Sequence, residues 1–295
     1  MNAPTRRVSI KTLIVAFTLL VVLFSGMVFA ALHHGTPVRF GLTPGAHAFG
    51  AARLLRSASP QYAAMLYDQE ETVLRALDNH VIDAALVSVE NAVRLDENVY
   101  EIRGVFSVTE LLVLSAESTV LNMQSLSGRT LLLPKALEGS AEDRLLQKLL
   151  RDADTAGIEL IYTENIAQAY AQHAGAVVLV TPDDMQLTVL SVPALSARFR
   201  LSSEWRAEYL TVPPAGYCIV ARRDVIGTGT FASFEKHVRD SMIYADRKRK
   251  KTIAMAVEAG IFSHEAQADQ LIDHMSFTYH EGQDALSAID AWKNL

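Results

Sequence analysis

Apolar runs in this chain repeatedly end in short groups of residues able to hydrogen-bond a small molecule: Thr43-Pro44-Gly45 with His47, Ser88-Val89-Glu90-Asn91, Thr109-Glu110, Lys135, Ser140 to Asp143, and Thr163-Glu164-Asn165. Ends of this kind, where a buried strand runs into a helix-starting turn, are where open α/β sheets hold ligands. Thr43 to Gly45 can offer backbone N–H groups at a helix start, a seat for an anion, although Pro-Gly is equally an ordinary turn. Ser88 has the position of a helix cap, and Ser140 with Asp143 three residues on has the spacing of a capping box. Capping and ligand contact are compatible roles. Lys135 would add positive charge near the Ser140 turn. Glu90, Glu110 and Glu164 instead favour an amine or a ring N–H, and Glu90 also suits a solvated first turn, where it complements the helix dipole. No arginine falls at a predicted strand end, which argues against a bidentate clamp on a sulfonate or carboxylate. The balance tips towards a small nitrogen-containing organic solute. Thr109 and Glu110 lie at either a hinge or a cleft. Thr181-Pro182-Asp183-Asp184 is accounted for by a helix start with Pro182 at its first position, so Asp183 and Asp184 are set aside as ligands.

Signatures of catalysis are missing. There is no G-x-S-x-G elbow, and Gly227-Thr228-Gly229 lacks the third glycine and strand-helix context of a dinucleotide site. His264-Glu265 and His280-Glu281 each lack a second histidine four residues from the first, so neither is a zinc-protease motif. The nine histidines show no metal-ligand spacing, and His33-His34 reads as linker. No metal or cofactor is expected. The single cysteine, Cys218, excludes an internal disulfide and sits in an apolar run as a buried, inert thiol. If the protein were an enzyme, His47, Glu90 and Glu110 would be its acid-base groups.

These groups need elements to position them. Strands are expected at Val38 to Leu42, Tyr62 to Tyr67 and Ala84 to Val87, with helices at Ala48 to Arg56 and Glu70 to Asn79. The alternation of short apolar runs with helical patterns argues for βαβ units. Tyr100 to Ser115 is long and strand-like and carries the chain out of a first lobe. The rhythm restarts with strands at Thr130 to Leu133, Ile158 to Tyr162 and Val177 to Val180, and helices at Ala141 to Arg151 and Asn165 to Gln172. After Val212-Pro213-Pro214-Ala215-Gly216, a strand at Tyr217 to Ala221 returns the chain to the first lobe, and helices follow. The expected division is residues 36–113 with 215–295 as lobe 1, and 114–214 as lobe 2.

Residues 1–35 stand apart as a signal peptide or membrane anchor plus linker. Arg6, Arg7 and Lys11 precede the apolar run from Leu13 to Phe24, and Val28-Phe29-Ala30 is a small-residue cleavage pattern. Residues 13–32 are also about long enough, at roughly 20 residues, to tether the chain to a membrane uncleaved. Either way the body lies in the periplasm or otherwise outside the cytoplasmic membrane. Cleavage after Ala30 would remove three basic and no acidic residues, taking the formal charge from −6 to −9. A nucleic-acid partner is excluded by that acidity. The basic run Arg247 to Lys251 is either a solvated helix face or a contact for anionic lipid or an acidic partner.

The order of elements resembles the type II periplasmic solute-binding proteins of ABC importers, in the nitrate/sulfonate/taurine and thiamine-precursor group. The resemblance is carried by Asp83-Ala84-Ala85-Leu86-Val87 after an amphipathic helix, Ser125 to Leu131 opening the second lobe, and Pro134-Lys135 at its first strand end. It covers residues 37–225 and implies a monomeric, two-lobed α/β protein of mostly parallel sheets flanked by helices. Two hinge crossings would join the lobes. It also implies a small-molecule solute held between the lobes, a membrane permease as partner and no chemistry of its own. Thr43, Gly45, His47, Ser88, Glu90, Asn91, Thr109, Lys135, Ser140, Thr163 and Asn165 are then the candidate solute contacts. The alternatives are an enzyme on the same fold acting on a small acid, and a membrane-tethered sensor domain.

Overall fold

The computed structural model describes residues 36–272 and 279–295. The expected leader, its cleavage site or anchor, and His33-His34 lie outside the described residues. Among the described residues no helix is long and apolar enough to cross a membrane.

Among the described residues ten strands form two five-stranded sheets. They are β1 (Val38–Leu42), β2 (Tyr62–Leu66), β3 (Ala84–Ser88), β4 (Tyr100–Val108), β5 (Leu112–Ser115), β6 (Thr130–Pro134), β7 (Glu159–Thr163), β8 (Val177–Val180), β9 (Ser196–Arg200) and β10 (Ala215–Arg222). The first sheet has the order β2-β1-β3-β10-β4 and the second β7-β6-β8-β5-β9. In each, four strands share one direction and one opposes them, β10 in the first and β5 in the second. The opposed strands are those along which the chain arrives from the other sheet. The fold is therefore two-lobed α/β with two crossings, and each sheet is mixed.

The central strands are apolar along their whole length because both faces are covered. Ala84 and Leu86 face one core while Ala85 and Val87 face another. In the second sheet Leu132, Val178 and Val180 face one side, and Leu131, Leu133, Val177 and Leu179 the other. Asp83, at the head of β3, accepts hydrogen bonds from the Arg39 backbone at 2.9 Å and its guanidinium at 2.7 Å. That pair fixes β1 against β3 at the end of the sheet away from the Ser88 turn.

The helices are α1 (Ala52–Arg56), α2 (Glu70–Asp78), α3 (Val89–Ala92), α4 (Ala141–Asp152), α5 (Ile166–Gln172), α6 (Met185–Ser191), α7 (Leu201–Tyr209), α8 (Gly229–Arg247), α9 (Arg249–Glu258), α10 (Glu265–Ile272) and α11 (Gly282–Lys293). Helix α2 buries the stripe Val73, Ala76 and Leu77, and α4 buries Leu145, Leu146, Leu149 and Leu150. The segment after β10 touches both sheets. Helix α10 packs against α6, and α11 buries Ala288 and Ile289 against the first sheet while Ala291 and Leu295 pack on the second. The basic run spans the junction of α8 and α9 at Lys248, and there Arg249 reaches Asp246.

Several expectations shift. The helix expected at Ala48 is a 3-10 turn, Ala46–Ala51, followed by the short α1. Tyr100 to Ser115 is not one strand but β4 and β5, separated at Thr109 to Leu111. The helix after β8 starts at Met185, not Pro182, because Thr181 to Asp184 closes a turn first. Strand β9 and helix α7 were not expected at all. The sheet-edge strand β9 carries Ser196, Arg198 and Arg200 among its apolar residues.

Both crossings meet at one point. Thr109 donates its backbone N–H to the Pro214 carbonyl at 2.7 Å and its hydroxyl to the Ala215 carbonyl at 3.0 Å. Beside them Gly216 is the extra residue of a bulge, since Ala215 pairs with Val108 and Tyr217 with Ser107. A Cβ at Gly216 would lie 2.8 Å from the Val108 carbonyl carbon and 3.0 Å from the Thr109 nitrogen. Gly216→Ala should therefore displace backbone at the crossing and cost at least about 2 kcal/mol in denaturant unfolding. A change within experimental error would show that the two segments can separate freely.

Candidate functional site

A cavity of about 280 Å³ opens between the sheets where the crossings meet. The first sheet supplies its wall from strand ends: Ala46 and His47 after β1, Ser88 to Glu90 after β3, Ser107 to Glu110 at the end of β4, and Ala215 to Tyr217 at the start of β10. The second supplies Ser140 to Glu142 at the start of α4 and Thr181 to Asp183 after β8. Trp292 of α11 completes it.

His47 and Tyr217 form the aromatic part of the wall, their rings stacked at 3.9 Å and 8°. Thr43 sits behind His47, its Oγ1 3.1 Å from Nε2. Gly45 precedes with φ of 136°, where a Cβ would come within 2.9 Å of the His47 ring. Burial lowers the His47 pKa to about 4, with a hydrogen bond to Thr43 offsetting part of the effect, so the ring is neutral at neutral pH. The Tyr217 hydroxyl is pushed well above its ordinary value by burial and then by the charges of Glu70, Asp183 and Glu142.

The lobes touch at this wall. The Ala46 N–H, at the start of the 3-10 turn, donates to Asp183 Oδ1 at 2.8 Å. The seat expected to take a solute anion is thus filled by a carboxylate of the other lobe. Burial raises the Asp183 pKa, and the Ala46 hydrogen bond offsets part of it. Glu110 accepts from the Ser202 N–H at 3.1 Å and from its hydroxyl, capping α7 where Arg200 makes no side-chain cap. Burial lifts Glu110 to about 7, against the Ser202 hydrogen bonds and the charges of Arg200 and Arg206.

Of the residues expected to meet a solute, His47, Ser88, Glu90, Thr109 and Ser140 line the cavity. Ser88 caps α3 through the Asn91 N–H at 3.4 Å, and Ser140 caps α4 through the Asp143 N–H at 3.2 Å. Asp143 answers to the Gly139 N–H, one residue earlier than a capping box requires. Glu90 lies 2.6 Å from the Arg94 guanidinium. Six candidates stand off the wall. Thr43 and Gly45 support His47, and Asn91 hydrogen-bonds Glu70 together with Ser88. Lys135 is paired with Glu138. Thr163 holds the Asn165 N–H and Asn165 caps α5. These last two lie at and just past the end of β7, the edge strand of its sheet, and so to the side of the crossing.

Sequence reasoning missed Ser107, Glu142, Asp183, Tyr217 and Trp292. Capping explains Thr181 and Asp184, which hydrogen-bond each other, but not Asp183. Tyr217 was within reach, since a strand that returns antiparallel starts at the cleft. Trp292 carries no local signal, being brought in by a helix from the chain's end.

Two lobes joined by paired crossings, with a cavity walled by strand ends of both, define the fold of the type II periplasmic solute-binding proteins. Solved structures agree. The chain is similar to an ABC transporter from Parabacteroides distasonis, with a TM-score of 0.67 and 18% identity over 88% of this chain and 90% of that one. It is similar to the periplasmic aliphatic sulphonate-binding protein SsuA from Escherichia coli, with a TM-score of 0.59 and 16% identity over 88% of each chain. The alkanesulfonate-binding protein SsuA from Xanthomonas axonopodis pv. citri, bound to MOPS, gives a TM-score of 0.53 and 16% identity over 88% of this chain and 91% of that one. No protein-family model and no curated protein match the chain. At these identities the likeness is one of fold.

The Glu110 environment makes stability depend on pH. An unfolded glutamate ionises near 4.5 and folded Glu110 near 7, so folding favours its protonated form. Its contribution is complete below pH 4.5 and is lost as pH rises through 7. His47 acts in the opposite sense, losing stability as pH falls from about 6.5 towards 4, and is common to wild type and a Glu110 variant. Between pH 5 and pH 8, wild type should lose on the order of 1–2 kcal/mol more unfolding free energy than Glu110→Gln. Urea unfolding at both pH values measures this, and parallel curves would refute it.

Proposed function

We propose that this protein is an extracytoplasmic solute-binding protein that captures a small polar organic solute between its lobes and delivers it to the permease of an ABC-type importer. The observation that carries the reading is the cavity at the crossings, walled by hydrogen-bonding strand ends and helix starts of both lobes. A solute touching both walls would hold the lobes together, because only contacts that differ between the open and closed arrangements shift the balance between them. Similar folds in an ABC transporter and a sulphonate-binding protein support the role. The basic and apolar leader supports export, whether cleaved or kept as a tether, and a monomer suffices for the task.

Catalysis finds less support. His47 is stacked and hydrogen-bonded within the wall, Glu110 is engaged by Ser202 and Glu90 by Arg94.

The protein, freed of carried-over solute by unfolding and refolding, should gain thermal stability with some members of a pooled set of small polar metabolites. The gain should reach about 2.7 kcal/mol at a hundred times Kd, with no product by mass spectrometry. Conversion of the stabilising compound would replace transport with catalysis as the function.

A further inference from the structure

The lining of the cleft is unequal in charge. Glu90, Glu110, Glu142 and Asp183 are on the wall, and no arginine or lysine is among the described residues that line it. The nearest expected cation, Lys135, is turned to Glu138 and stands off the wall. An anion entering here would leave water for a site with no cationic side chain among its described lining, beside the Glu90 and Glu142 carboxylates that repel it. The helix start that would have received it, at Ala46, is already taken by Asp183.

Three of the carboxylates have work within the protein. Glu110 takes the Ser202 donors, Asp183 the Ala46 N–H and Glu90 the Arg94 guanidinium. Glu142, half-buried in the first turn of α4, has no hydrogen-bond or ion-pair partner among the described residues. Across the cavity is Tyr217, whose ring is backed by His47 and whose hydroxyl ionisation is suppressed partly by the charges of Glu142 and Asp183. A carboxylate facing an aromatic wall in a space of about 280 Å³ suits a cation, through a charge-assisted hydrogen bond and contact with the ring.

We propose that the solute of this cleft is a protonated amine with a compact planar or apolar body, anchored on Glu142 and packed on Tyr217, and not a sulfonate or carboxylate. The proposal rests on the solute-binding reading above and gives that solute its charge.

The test uses matched probes on the solute-stripped protein: 2-phenylethylamine with a pool of alkyl- and arylalkylamines, and 2-phenylethanesulfonate with the corresponding sulfonates. Thermal shift and titration calorimetry should show stabilisation by members of the amine pool only. Glu142→Gln should lower the melting temperature without ligand by no more than a few degrees, the worth of one first-turn acid, and weaken amine binding at least tenfold. Preferential binding of sulfonates would overturn the charge assignment while leaving the solute-binding reading intact, as would amine binding that Glu142→Gln does not alter. Stabilisation by neither pool would overturn the amine assignment and count against the solute-binding reading as well.

Discussion

Thr109 holds the two crossing segments together, and the space between the sheets depends on that join. A chain that leaves one sheet and later returns has two connections, and their separation sets how the lobes can move. Here they are hydrogen-bonded at one residue, through both its N–H and its hydroxyl. Buried polar groups left without partners are costly, so the Pro214 and Ala215 carbonyls and the Thr109 donors hold each other in register. The neighbouring glycine lets the backbones approach more closely than any side chain would allow. Strand ends of both sheets converge on this point, which is why hydrogen-bonding residues from distant parts of the sequence share one wall.

The polar groups of that wall are divided between holding the protein and facing the cavity. Ser88 and Ser140 cap helices, Glu110 caps α7 from the first crossing, and Asp183 bonds the other lobe at Ala46. Each of these commitments removes charge or hydrogen-bonding capacity from what a guest would meet. The fold shared with sulphonate-binding proteins fixes where the cavity lies. Side chains at the strand ends fix its electrostatics, and here they are acidic.

Much of the architecture could be read in advance because it rests on local signals. Central strands such as β3 and β8 are unbroken apolar runs, and α2 and α4 are strongly amphipathic, so their bounds fell within a residue or two. Strand β9 escaped because an edge strand with one wet face resembles a polar loop. In the site, local chemistry located Ser88 and Ser140, whose capping role follows from neighbours in the chain. It misplaced Thr163 and Asn165, since whether a strand lies at the centre or the edge of a sheet is settled by pairing with distant segments, and it misplaced Lys135, which follows the interior strand β6 but is paired with Glu138. Asp183 failed for a related reason. An aspartate beside Thr-Pro looks like a capping residue, and only the approach of Ala46 from the other lobe gives it a different partner.

The lobes meet across the cleft, which bears on how a guest would act under the proposed reading. Within the cleft one direct polar link between lobes is the bond from Ala46 to Asp183, and behind it α10 rests against α6. A ligand shifts a conformational balance only by as much as it prefers one arrangement over the other. Modest contacts of this kind are therefore suited to a closing binder: strong enough to align the two walls, and weak enough that a molecule bridging Tyr217 and α4 still decides how long they stay together.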